Sequence, residues 1–317
     1  MASVRAPSAL VLLCAGLIAC SGKKLDEQSD TADTGGSEGG TGGVVWDDLR
    51  LESSVTLTAA FPSGQGYYAS GDDGEVYLRA EGAWTPMGLD QDADLNDIWG
   101  KNSGGILQMV AVGDGGTVAR FSDAWVADEA LGTANMEAVD GSGGDDLVAV
   151  GWGGAYIWVD NAWQFVSLPG NPRFNDVWSN GANTVAVGEE GAIAIRSGDA
   201  WDVSAPLGLL QLYGVSATGP SDVWAVGEGG TIVHFDGSTW SEVASPTAVS
   251  LWAVLVTGPN AVYVVGNNGY AARFDGLGWT ELPTGVDNNL YTVDVAPDGI
   301  IWAAGNRGMA LRLKAGN

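Results

Sequence analysis

Histidine is nearly missing from this chain, and cysteine is confined to its start. His234 is the only histidine, and the two cysteines, Cys14 and Cys20, both precede residue 21. The rest of the chain therefore has no disulfide and no thiolate metal site, and zinc, haem or histidine-dependent acid–base designs lack their ligands. Positive charge is scarce too: 13 Lys and Arg stand against 39 Asp and Glu, a formal net charge of −26. No basic excess is left to neutralise phosphates, so nucleic acid is excluded as a partner, and an anionic lipid surface cannot be held by charge. The acidity reads as solubility and self-repulsion outside the cytoplasm. One apolar run stands out near the N-terminus, residues 9–19, and it is too short for a comfortable membrane span.

That run defines an address. Arg5, the apolar stretch and then Leu17-Ile18-Ala19-Cys20 give the three-part layout of a secretory signal. The last four residues resemble a bacterial lipobox, which implies cleavage of residues 1–19 and lipidation of Cys20. An ordinary signal with small residues before a cysteine is the alternative. Several acyl chains would anchor stably, at about 0.8 kcal/mol per buried methylene. Ser21, rather than Asp, follows the cysteine; by resemblance to enteric lipoproteins this points to the outer membrane rather than the inner. Residues 20–43, rich in Gly, Ser, Thr and Asp with Leu25 as the one large apolar side chain, read as a disordered tether spanning roughly 25–30 Å.

What the chain has in excess is glycine (49 residues) and tryptophan (14), the mixture expected of many short strands joined by tight turns. A glycine pair recurs at Gly71/Gly74, Gly113/Gly116, Gly151/Gly154, Gly188/Gly191, Gly227/Gly230, Gly266/Gly269 and Gly305/Gly308, with spacings of 42, 38, 37, 39, 39 and 39. Two glycines around a two-residue connection predict a hairpin with positive φ. A tryptophan recurs with them: Trp46, Trp84, Trp125, Trp163, Trp201, Trp240 and Trp279. The first tryptophan precedes the first glycine pair, and none follows the last pair. The two series match only if the chain closes on itself, residues 44–49 supplying the outer strand of a blade whose inner strands come from residues 290–313. A period near 39 with four strands per unit predicts one seven-bladed β-propeller over residues 44–317, with four antiparallel strands per blade. A monomer is expected.

The stretch Gly227-Glu-Gly-Gly-Thr-Ile-Val-His-Phe-Asp-Gly-Ser-Thr-Trp240 resembles the repeat of the Asp-box (BNR-like) propellers. It is most similar to their non-enzymatic branch, typified by photosystem II assembly factors and by repeat lipoproteins of myxobacteria. The match is degenerate: His234 stands where the leading serine belongs, Asp275-Gly276 repeats the variant, and Ser122-Asp123 and Gly198-Asp199 keep fragments. The resemblance implies a propeller and leaves activity open, because Asp-box turns are structural in enzymes and non-enzymes alike.

Candidate site residues fall on the glycine hairpins. Asp72, Asp114, Glu189 and Glu228 put acids on one face of the disc, where they read either as solvated turn residues or as an acidic mouth able to take Ca²⁺. No loop has the Asp-x-Asp-x-Asp-Gly ligand spacing, and no other metal or cofactor is implied. Trp152 sits inside a hairpin turn where the other copies hold Asp, Glu or Asn. It either anchors a sugar or a protein or folds back onto Tyr156 or Trp158. Trp99, Trp178, Trp252 and Trp302 fall on strands and are expected in the core. His234 occupies a third-strand slot that holds Arg120, Arg273 and Arg312 in other copies, which suits packing on tryptophan rather than catalysis. Those arginines lie off the axis, which argues against a sialidase-like carboxylate clamp.

No catalytic set emerges. The expectation is a lipid-anchored, non-catalytic propeller of the cell envelope, periplasmic or surface-facing, that presents one face to a protein or glycan. The alternative is a carbohydrate-active hydrolase or lyase using carboxylates at the central mouth, which would need two of them roughly 5–9.5 Å apart.

Overall fold

The computed structural model describes residues 44–89, 92–128, 130–143, 145–205, 208 and 211–314. The expected signal, Cys20 and the tether lie outside the described residues. Twenty-eight strands form seven sheets of four, each sheet antiparallel throughout. Blades 1 to 6 are continuous in sequence, at residues 57–86, 95–127, 136–166, 174–204, 212–242 and 251–281. Blade 7 takes three strands from residues 290–313 and its outer strand from the other end of the chain, Trp46–Asp48. That strand pairs Trp46 with Leu313, Asp47 with Arg312 and Asp48 with Leu311. Backbone bonds from Leu49 N to Ala310 O and from Lys314 N to Val45 O extend the pairing, both within 2.9 Å. The circular offset of glycines and tryptophans is thus the closure of the ring.

The second strands are buried on both faces, successive residues such as Leu147 and Val148 facing opposite neighbouring sheets, and the core is accordingly divided. Seven apolar clusters occur, one between each pair of successive blades, including one that joins blade 7 to blade 1 through Leu57, Tyr67, Ala304 and Trp302. Tyr67 and Trp302 stack there with centroids 4.4 Å apart. A blade has no core of its own, so each is stable only between two neighbours.

The glycine pair works differently from the sequence expectation. The first glycine is extended, with φ −168° at Gly188, and is not a positive-φ residue. It is there because the hairpin passes directly over the start of the inner strand. A Cβ at Gly188 would fall inside van der Waals contact of the Arg173 carbonyl oxygen. The second glycine carries the positive φ, +68° at Gly191. Gly188→Ala is therefore expected to cost roughly 3 kcal/mol or more through a backbone clash, lowering Tm by roughly 5–10 °C. Calorimetry would check this, and a Tm within a degree of wild type would contradict the close approach.

Candidate functional site

The inner strands start on the face that carries the glycine hairpins, since their first residues pair with the first turn glycines, as Leu95 with Gly113 and Leu251 with Gly266. Every inner strand then skips one residue in its pairing, between Leu57 and Ala59, Leu95 and Asp97, Met136 and Ala138, Phe174 and Asp176, Leu212 and Gly214, Leu251 and Ala253, and Leu290 and Thr292. Such a bulge re-aims side chains. Here it turns the skipped residue toward the axis, so that neighbours such as Asn96 and Asp97 both line the central channel. The channel encloses about 400 Å³.

Its wall has two unlike halves. Across blades 1 to 5, polar side chains staple each inner strand to the next. Thr58 Oγ1 donates to Leu95 O (2.6 Å), Asn96 Nδ2 to Met136 O (3.0 Å) and Asn175 Nδ2 to Leu212 O (2.6 Å). Asp97 accepts the N–H of Ile98 through Oδ1 and that of Val139, on the next blade, through Oδ2, both at 2.8 Å. Asp176 repeats this with Val177 and Val215, at 2.8 and 2.7 Å. Asp140 accepts from Ser179 N at 2.6 Å, and Ser216 Oγ from Val256 N at 3.1 Å. Across blades 5 to 7 the mouth is aromatic: Tyr213 and Trp252 lie 4.2 Å apart between centroids, and Trp252 meets Tyr291 edge-on at 5.4 Å. The Trp252 indole N–H donates to Asn267 Oδ1 at 2.7 Å.

Enclosure dominates the electrostatics of the channel. Burial pushes Asp97 up to about 6, against the pull of the Val139 and Ile98 N–H groups. Burial likewise brings Asp140 to about 7, where the Ser179 and Gly141 N–H groups oppose it and the charges of Asp97 and Asp146 assist. Asp294 reaches about 7 by burial, opposed by the Thr292 hydroxyl. Asp176 is driven well above the ordinary carboxylate range by burial and then by the charge of Asp97. Nearer the mouth, burial raises Glu137, the charges of Asp114 and Glu189 add to it, and the Trp152 side chain works in the opposite direction.

The acids expected at the hairpins stand around this mouth, each with its own partner, and Asp72 and Asp114 lie near enough to Asp94 to add to the effect of burial in raising it. Asp72 accepts Thr56 N at 2.9 Å, Asp114 accepts Asn96 Nδ2 at 3.0 Å, and Glu189 faces Arg173 at 3.7 Å. Glu228 sits near Tyr213, whose hydroxyl is raised by burial and then by the Glu228 charge. Among the described residues no three His, Cys, Asp or Glu side chains gather as a cation site. Trp152 is 44% exposed, and it folds onto neither Tyr156 nor Trp158. Arg173 of blade 4 covers its ring at 4.4 Å.

The repeat tryptophans are structural. Trp46, Trp84, Trp125, Trp163, Trp201, Trp240 and Trp279 each stand on the outer strand opposite a large side chain of the third strand: Leu313, Arg79, Phe121, Trp158, Arg196, Phe235 and Phe274. His234 lies 4.4 Å from the Trp224 ring with Nε2 2.9 Å from Asp222 Oδ1, a packing role. Asp236 and Asp275 each accept two backbone N–H groups of their own turns, on the face opposite the mouth. Of the strand tryptophans expected in the core, Trp99 is buried, Trp178 and Trp302 pack half-buried against core clusters, and Trp252 joins no cluster and lies at the channel. Only the bulge separates Trp252 from a core tryptophan, and no residue type announces it.

Fold and site together define a closed seven-bladed β-propeller with a lined axial channel. No protein-family model matches the chain, and no curated protein matches it. Solved structures do. YCF48 bound to D1 peptide is similar at 19% identity, covering 85% of this chain and 97% of that one with a TM-score of 0.68. YCF48 from Cyanidioschyzon merolae is similar at 14% identity, 86% and 100% coverage and a TM-score of 0.69. Streptogramin B lyase is similar at 12% identity, 86% and 97% coverage and a TM-score of 0.72. At these identities the likeness is one of fold.

Proposed function

We propose that the protein is a non-catalytic binding propeller of the cell envelope, anchored through lipidated Cys20 and held off the membrane by residues 21–43. Its hairpin face presents the channel mouth to a protein partner. The observation that carries this reading is the aromatic arc Tyr213–Trp252–Tyr291, solvent-accessible at the mouth of a channel whose deeper carboxylates are already engaged in holding blades together. Large, half-buried aromatics beside polar groups are the usual anchors of protein recognition. A propeller of the same fold holds a peptide in YCF48 bound to D1 peptide, which supports the reading by analogy.

Panning a random peptide library against the full chain and a Trp252→Ala variant tests it. Enriched sequences should bind the wild type and lose roughly tenfold or more in affinity on Trp252→Ala. Equal retention by both would move the site away from the mouth. A second reading rests on Glu137, an accessible carboxyl at the mouth with no backbone N–H of its own and a raised pKa. It makes the channel a hydrolase or lyase site, and turnover in a glycan screen abolished by Glu137→Gln would establish it.

A further inference from the structure

The proposed partner face has a chemistry specific enough to name what enters it. The aromatic half offers the faces and edges of Tyr213, Trp252 and Tyr291 over three consecutive blades. The opposite half offers Glu137 at the mouth, with Asp114 and Glu189 close enough to raise it. The lining contains five carboxyl side chains and no Lys or Arg. The rim cation near Glu137, Arg173, is engaged with Trp152 and Glu189. Each Asp97 and Asp176 oxygen accepts an N–H, yet Asp294 has only the Thr292 hydroxyl, at 2.9 Å, among the described residues. A ring-faced wall opposite carboxylates, across a narrow half-buried channel, attracts an organic cation through both the ring quadrupoles and the charges. An anionic or purely aliphatic group would leave these carboxyls uncompensated.

Resting on the peptide-binding reading above, we infer that the channel mouth takes the lysine or arginine side chain of a basic peptide segment, inserted along the axis between Trp252 and Glu137. The occupant is one side chain with its flanking backbone, since a volume of about 400 Å³ admits no folded element. Binding also exchanges protons. A cation seated among Glu137, Asp97, Asp140, Asp176 and Asp294 favours their charged forms, so protons leave as it enters, and affinity rises with pH. The groups facing it are these five, the acids Asp72, Asp114, Glu189 and Glu228 and the cations Arg173 and Arg307 on the hairpin rim, and the hydroxyls of Tyr213 and Tyr291.

Fluorescence anisotropy with end-blocked, labelled peptides Gly-Ser-X-Ser-Gly, X being Lys, Arg, Leu or Glu, tests this on the full chain. The Lys and Arg peptides should bind about tenfold or more tighter than the Leu and Glu peptides. Trp252→Ala should remove the preference. Glu137→Gln, which keeps shape and should fold normally, should weaken the Lys peptide about tenfold without changing the Leu peptide. Affinity for Lys should rise between pH 5 and pH 8. Leu or Glu peptides binding as well as Lys would overturn the inference while leaving peptide binding standing. No binding by any of the four, with library peptides still captured, would overturn it equally. Failure of the library as well would remove the parent reading.

Discussion

Acidifying a solution of this protein from pH 8 to pH 5 is expected to raise its melting temperature. Asp97 titrates at about 6 and Asp140 and Asp294 at about 7, while Asp176 lies well above the ordinary range, all chiefly through burial. Carboxyls raised in the folded state hold protons that the unfolded chain has released. Their stabilisation is complete below the ordinary carboxylate pKa near 4 and is lost as pH climbs through 6 and 7. Each group contributes up to about 1.4 kcal/mol per pH unit, and with mutual coupling the loss between pH 5 and 8 is roughly 3–6 kcal/mol. Below pH 4 the slope reverses, because Asp47 and Asp222 are held low. Burial works to raise both, but Lys314 and Arg312 outweigh it at Asp47, and Thr218, His234 and Trp224 do so at Asp222. The surface charge acts with the same sign above pH 5, but about 1 M salt screens it to roughly 3 Å and leaves the enclosed ring little affected.

Two substitutions separate the acids by what they hold. Asp294 accepts a hydroxyl, which Asn can replace, so Asp294→Asn should be stabilising by roughly 1 kcal/mol at pH 8 and should flatten the profile. Asp176 accepts two backbone N–H groups, one on each oxygen, and an Asn amide would point N–H at N–H. Asp176→Asn should therefore cost roughly 2–3 kcal/mol at pH 5 and less at pH 8, where the wild type itself bears the penalty of ionising the buried acid. Equal effects at the two positions, or a Tm that falls on acidification in high salt, would rule out a protonated ring.

The second large effect is at the ring closure. Deleting residues 44–49 should lower Tm by roughly 10 °C or more or prevent folding, because the outer edge of blade 7 loses its strand and the cluster between blades 6 and 7 loses Trp46. Trp46→Ala keeps the backbone pairing and should cost roughly 2–3 kcal/mol. Asp47→Ala removes ion pairs to Arg312 (2.6 Å) and Lys314 (2.7 Å), and because both cations are about half exposed it should cost only about 1 kcal/mol. Chemical denaturation of the three variants would rank them in that order. Indistinguishable curves for the deletion and the wild type would mean the strand is not the latch.

Periodicity made the fold legible. Gly188 and its equivalents recur because a hairpin crosses the start of each inner strand, and Trp46 and its equivalents because each covers a third-strand residue, so both series report geometry directly. The channel was illegible for an equally specific reason. Strict alternation sends Asn96 and Asp97 to opposite faces, and the bulge brings them to one. Trp252 and Trp99 both follow apolar residues on an inner strand, yet Trp252 stacks among Tyr213 and Tyr291 while Trp99 is buried in the cluster between blades 2 and 3 with its N–H on Gly141 O. Asp97 and Asp176 are likewise indistinguishable by type from the solvated acids of the hairpins, although they join blades. Trp152, singled out as an anomaly, does lie at the mouth, but the arginine that covers it comes from the next blade and no local pattern foretells it.

The closing strand also sets the order in which the molecule can assemble. Asp47 meets Arg312 across 265 positions of sequence, so the first of the described strands to leave the ribosome is the last to find its partner. Until then six blades can stack vectorially, each templated by the one before, while the segment around Trp46 waits unpaired and the edge of blade 7 stays open. Loop-closure entropy and high contact order make that final step slow relative to hairpin formation. The open edge is meanwhile a template for the wrong strand, including the equivalent segment of another copy. Ring closure is thus the step at which this chain is most open to pairing with another copy.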